Sequence, residues 1–226
     1  MDSPLKTIVA TVVIAAICAV LLVGIRGVVL ASINRNLSID EQRAILDALD
    51  IRDQQGGEVA TAPAVDVERY YNENVQKVHG EEGVEQEFDV YRYVVDGMVK
   101  GTAIRVFGKG LWGEMRGFLA VDPRKAGAAK WTVRGLVFYR DEETPGLGKR
   151  IRDEDFKSRF RSAMGKLVPG LKVLKAEGMA SGPQEVDGMT SATITGQGVQ
   201  KMIDKAIEWY AKSTFVLQPS AGGSAG

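Results

Sequence analysis

Between Asp187 and Thr195 the chain reads D-G-M-T-S-A-T-I-T, setting the hydroxyls of Thr190, Ser191, Thr193 and Thr195 among the small residues Gly188 and Ala192. An amphipathic stretch follows, and its spacing predicts a helix from about Ala192 to Lys212. A helix start exposes unbonded backbone N–H groups and the positive end of the macrodipole, so it suits a phosphate, and small side chains let that phosphate approach the backbone. Ser and Thr are also the preferred helix caps, so the hydroxyls taken alone read equally well as an ordinary N-cap.

Four spaced residues sharpen this reading. Asp187, Thr190, Ala192 and Thr193 follow the pattern D-x-x-S/T-G-A-T, with Ser191 in the place of the Gly. The segment resembles the attachment motif of FMN-binding domains, which implies that a dedicated flavin transferase joins FMN to Thr193, rather than to Thr190 or Thr195, through a phosphoester. Two further blocks, G-K-G-L-W-G-E-M-R-G-F-L-A-V-D at Gly108 to Asp122 and E-T-P-G-L-G at Glu143 to Gly148, resemble segments of the C subunit of sodium-translocating NADH:quinone reductases. The three blocks fall in the same order, and the likeness runs from the apolar N-terminal segment to Trp209. One position departs from it: Asp141 stands two residues before Glu143, where that family often has His.

The resemblance implies a membrane-anchored electron carrier with covalent FMN as its cofactor, relaying electrons between other flavins or metal centres of an oxidoreductase that joins NADH to ubiquinone. Its implied partners are the other membrane subunits, including a second flavin subunit, the transferase and the lipid bilayer. The implied location is the bacterial inner membrane, with a cytoplasmic N-terminus and a periplasmic domain, and sodium coupling would reside in polytopic partners. Two rivals stay open. One is the homologous G subunit of a ferredoxin-oxidising electron-transport complex, against which the E-T-P-G-L-G and G-K-G-L-W blocks speak. The other is a flavin-free, tethered structural subunit whose Thr-rich turn merely caps a helix.

The blocks also have a physical reading of their own. Pro145 fixes φ and Gly146 readily takes positive φ, the signature of a type II turn. Flanked by Thr144, Leu147 and Gly148, such a turn offers outward amides and an apolar face to a flavin ring, or is a plain surface turn. Leu111 and Trp112 follow a Gly-rich turn and would pack on that ring, or else in the core. Glu143 is expected to hydrogen-bond the flavin or the loop, and Asp187 and Thr190 to serve the transferase and the local phosphate geometry, with Ser191 and Ala192 beside them. Carboxylate runs such as Asp141-Glu142-Glu143 usually mark solvated faces, because adjacent residues do not converge on one point.

Elsewhere the sequence mostly excludes. With 29 basic and 29 acidic residues the formal net charge is zero, which leaves no basic excess for nucleic acid. His79 is the only histidine, so a histidine triad or multi-histidine metal site is excluded, and it reads as a surface residue. Cys18 is the only cysteine, which rules out a disulfide framework and cysteine-ligated clusters. No P-loop or G-x-G-x-x-G is present, so NADH is not bound by the usual fingerprint, and neither a proton-transfer catalyst nor a metal site is assigned. Any redox chemistry then belongs to an acquired cofactor.

Thr7 to Ile25 is an uncharged, mostly apolar run that, at ~1.5 Å per residue, nearly spans a ~30 Å hydrocarbon core. It reads as a transmembrane anchor, being longer than the ~7 to 15 apolar residues of a signal peptide. Charge counting leaves its orientation undecided. Beyond it, Ser38 to Glu41 has the form of a capping box before a helix from about Ile39 to Leu49. Asp53 to Pro63 reads as a polar linker and Ala64 to Val78 as a helix. Strands are expected at Phe88 to Val94, Met98 to Val106, Glu114 to Val121, Trp131 to Tyr139 and Leu171 to Ala176, with a hairpin at Asp96-Gly97. Asp153 should cap a helix reaching Met164. Strands in succession with helices grouped around them predict an α+β fold with a mostly antiparallel sheet. The implied organisation is a membrane anchor helix at 1–35, one FMN-binding domain at 36–217 and a disordered tail at 218–226.

Overall fold

The computed structural model describes residues 12–20, 38–53, 56–79, 88–123, 130–161 and 165–213. The chain divides into two units, Met1–Asp40 and Glu41–Gly226. In the first, residues 12–20 are helical and Cys18 is exposed. No helix among the described residues is long and apolar enough to cross a membrane. The remainder of the apolar run at 7–25, like the tail at 218–226, lies outside the described residues.

Six strands, β1 (Val75–His79), β2 (Val90–Val95), β3 (Met98–Lys109), β4 (Glu114–Val121), β5 (Trp131–Arg140) and β6 (Leu167–Val168), form one antiparallel sheet in sequential order. The α+β fold with a mostly antiparallel sheet is thus as expected. At the β2–β3 hairpin, Asp96 and Gly97 take φ of 51° and 72°, the two positive values a type I′ turn requires. Alternation then sorts side chains to two faces. Ile104, Val106, Met115, Leu119 and Val121 face one core cluster, while Ala103, Phe118 and Ala120 face the other. On β5 the register shifts between Val133 and Gly135, a bulge at Arg134 that reverses the parity, so Leu136 and Phe138 join the face of Val133.

Both faces of the sheet are therefore covered. Helix α1 (residues 38–48) lays Ala44, Ile45 and Ala48 on the second cluster. Its Glu41 closes no capping box: the carboxylate accepts from the Arg105 guanidinium and, at 3.3 Å, from the Tyr91 hydroxyl. Arg105 is buried and also pairs with the buried Asp89 at 3.1 Å, an ionic staple between helix and sheet. Helix α2 (Ala64–Asn74) ends earlier than its periodicity suggested, because Val75 to His79 pair with β2 as an edge strand. The linker at 53–63 contains a 3₁₀ turn, Val59–Thr61, that buries Val59 and Ala60.

The other face carries helix α4 (Thr193–Lys212), whose Val199, Met202, Ile203, Ala206, Ile207 and Tyr210 recur at helical spacing and are buried in the first cluster. Helix α3 spans only Glu154–Ser158, and Asp153 makes no side-chain cap. His79 is not a free surface residue either, since its ring lies 5.2 Å from that of Trp209.

Candidate functional site

The approach to Thr193 is built by a two-stranded parallel ladder, in which β7 (Lys172–Val173) pairs with β8 (Glu185–Val186). The ladder is shorter than the strand expected at 171–176, and its bonds continue through Leu174 N–H to Val186 O at 2.8 Å. Gln200 of α4 anchors it, accepting from Val173 N–H at 2.6 Å and donating to Leu171 O at 2.8 Å. From β8 the chain enters the hydroxyl-rich segment directly.

Within that segment each residue has a distinct place. The Asp187 carboxylate turns back on the preceding loop and accepts the Met179 and Ala180 amides, each at 2.7 Å. Those amides, Ala180 first, hold its pKa below the ordinary carboxylate value. Its backbone O and that of Gly188 accept from Arg159 at 3.1 and 2.6 Å. Thr190 donates to Glu177 at 2.8 Å, and Glu177 in turn pairs with Arg150 at 2.8 Å. Ser191 takes φ of 68°, in the left-handed region that favours glycine. Ala192, not a hydroxyl residue, is the N-cap of α4, and no side chain caps the helix. Thr193 begins the helix with its side chain exposed, and Ile194 beside it is 52% exposed.

Thr195 is buried and points the other way, donating to Glu143 Oε2 at 2.6 Å. The other oxygen of Glu143 accepts the Trp112 backbone amide at 3.0 Å. One carboxylate, 5% exposed, thus ties the first turn of α4 to both the β3–β4 loop and the turn after β5. The seam is tight, for a Cβ on Gly148 would run into Glu143 Oε2 and come within 2.6 Å of the Thr195 hydroxyl oxygen. The expected turn is present: Gly146 has φ of 76°, and Leu147 N–H bonds Thr144 O at 3.1 Å.

Leu111 and Trp112 do not enter the core; they are 50% and 68% exposed, and Leu147 is 43% exposed. Leu111 and Trp112 on the β3–β4 loop, Leu147 on the turn after β5 and Ile194 on α4 thus leave large apolar side chains in solvent on three segments that one buried carboxylate ties together, a candidate apolar seat beside a helix start that no side chain caps. Asp141 and Glu143 depart from the rule for carboxylate runs, since both side chains are buried.

Residues 110–208 match the family model described as "FMN-binding domain". Among curated relatives, the C subunit of the Na(+)-translocating NADH-quinone reductase of Yersinia pestis is 33% identical over 110 residues, covering 46% of this chain and 38% of its own. The protein of the same name from Vibrio parahaemolyticus is 35% identical over 131 residues, 55% of this chain and 47% of its own. This chain therefore covers less than half the length of either relative. The crystal structure of the corresponding C subunit from Parabacteroides distasonis superposes with a TM-score of 0.62 at 25% identity, over 82% of this chain and 95% of that one.

The residues present fit FMN. Thr193 offers an exposed hydroxyl at an uncapped helix start, and the apolar seat and turn amides suit a flat ring with polar edges. Sequence reasoning missed Thr195, Ile194, Arg159 and Glu177. Burial of Thr195 and exposure of Ile194 follow from the helical phase of α4, but the pairing of Thr195 with a glutamate 52 residues away left no sequence signal.

Proposed function

We propose that this chain is a membrane-anchored electron-carrying subunit of a Na(+)-translocating NADH:quinone reductase, holding FMN through a phosphoester on Thr193. The observation that carries the reading is at α4: an exposed threonine on a helix start that no side chain caps, in a turn that Glu143 ties to the segments bearing exposed Leu111, Trp112 and Leu147. A hydroxyl serving merely as an N-cap would sit one residue earlier, where Ala192 stands. This speaks against the flavin-free structural reading.

Bound FMN supplies the electron-transfer chemistry, and the protein supplies position and surroundings. The first-turn amides of α4 receive the phosphate, Leu111, Trp112 and Leu147 flank the ring, and the amides of Thr144 to Gly148 meet its polar edge. Glu143 holds these parts together from below. Asp187 and Thr190, whose side chains engage the loop at 177–180, act by shaping the segment that the flavin transferase must grip. Covalent attachment suits a carrier that meets partners at a membrane surface and would otherwise lose its cofactor between turnovers. Residues 1–35 supply the single inner-membrane span, 36–217 the periplasmic flavin domain and 218–226 a tail. Partner subunits, a second flavin subunit among them, hold the NADH, ubiquinone and sodium sites.

The test is intact mass of the chain purified from its native membrane. The expected mass exceeds that of the polypeptide by one esterified FMN, and Thr193→Ala abolishes the increment. A bare wild-type mass, or an increment that survives in T193A, overturns the reading.

A further inference from the structure

Under the E-T-P-G-L-G turn lies a second shielded carboxylate. The Asp141 side chain is 0% exposed, and Oδ1 accepts the Glu143 amide at 3.1 Å. Oδ2 is buried and finds no hydrogen-bond partner among the described residues. Among the described residues its one ion pair is with Arg152 Nη1, 3.6 Å away on a side chain that is itself 45% exposed. Burial of a carboxylate is unfavourable unless its oxygens are bonded, so an incompletely compensated one invites a functional account. Its place supplies one. Asp141 fixes the backbone of Glu143, the residue whose carboxylate joins the Trp112 amide to the Thr195 hydroxyl beneath the apolar seat.

We propose that Asp141 is a positioning residue that also sets the electrostatic potential of the flavin seat, its buried charge lowering the reduction potential of the bound FMN and Arg152 moderating that effect. Reduction adds negative charge to the ring system, and a fixed anion nearby opposes it. Buried charges act through a low effective dielectric and are little screened by salt, whereas the half-exposed Arg152 compensates only in part. Asp141 and Arg152 therefore act with opposite sign. The inference rests on the flavin reading given above.

The experiment uses the full chain co-expressed with a flavin transferase, purified, and titrated spectroelectrochemically at one pH, with flavin content measured first. Asp141→Asn keeps an Oδ1 acceptor for the Glu143 amide but removes the charge, and its midpoint potential shifts upward. Arg152→Gln leaves Asp141 uncompensated, and its midpoint shifts downward. A purely structural role moves thermal stability without this pair of opposed shifts. Unchanged potentials in flavin-loaded variants, or shifts of the same sign, overturn the inference. Should D141N fail to fold, the shift of R152Q alone decides, since that side chain is exposed at the surface. A wild-type chain that carries no flavin after co-expression refutes the underlying flavin reading, a result distinct from loaded protein with unmoved potentials.

Discussion

At Ser191 the backbone adopts φ of 68°, a conformation that costs a side-chain-bearing residue roughly 1 kcal/mol relative to glycine. The glycine preference at this place in the attachment pattern is therefore conformational, and small size alone does not meet it. Ser191→Gly is expected to raise unfolding stability by about 1 kcal/mol in urea titrations while leaving flavin attachment intact. Glu143 answers to a different logic. Glu143→Ala strips the Trp112 amide and the Thr195 hydroxyl of their shared acceptor, with an expected loss of about 2 kcal/mol and a lower yield of flavinylated chain on in-gel fluorescence. Glu143→Gln keeps a carbonyl acceptor for one of the two bonds and should fall between wild type and E143A. Equal yields in all three chains would show that the carboxylate does not organise the seat.

Among the elements, the loop at 176–181 is held in part through Asp187, whose carboxylate collects the Met179 and Ala180 amides. Its pKa is depressed in the folded protein, so its contribution is complete above the ordinary carboxylate value of about 4 and is lost as pH falls towards the lower folded value. Asp187→Asn should lower the melting temperature at neutral pH, and the gap to wild type should close as melts are repeated below about pH 4. A gap independent of pH would exclude the charge as its source. The sheet was legible because its strands carry strong period-two patterns and a two-residue Asp-Gly hairpin, and α4 because its apolar stripe is long. Less was legible where long-range pairing overrides local preference. Residues 75–79 continue a helical pattern yet pair as an edge strand, and 159–160 turn out of α3 well short of the Met164 that its periodicity suggested. At the site, the sequence marked the turn, and resemblance to the attachment pattern singled out Thr193 as the proposed acceptor. The sequence could not mark the burial of Asp141 and Glu143 in a run that would otherwise be solvated, because the partners of Glu143 lie 31 and 52 residues away.

For the molecule as a whole, the sheet is clad on both faces, and the proposed flavin seat lies where Glu143 joins the β3–β4 loop, the turn after β5 and the start of α4. The ionic staple of Glu41, Arg105 and Asp89 locks the start of the second unit onto that sheet. A chain beginning at residue 36 is therefore expected to fold, to accept flavin from the transferase and to leave the membrane fraction on centrifugation. Retention in the membrane pellet would show that the proposed anchor is not what holds the protein there. The three tryptophans occupy graded surroundings: Trp131 is 4% exposed, Trp209 stacks on Phe88 at 5.0 Å, and Trp112 is 68% exposed on the rim of the seat. Emission collected at the long-wavelength side of the band selects the most solvated indole, so the chain carries a native optical probe of cofactor loading. Its emission should be quenched most strongly once an isoalloxazine lies alongside, while the two more sheltered indoles, quenched less, emit at shorter wavelengths and report on folding.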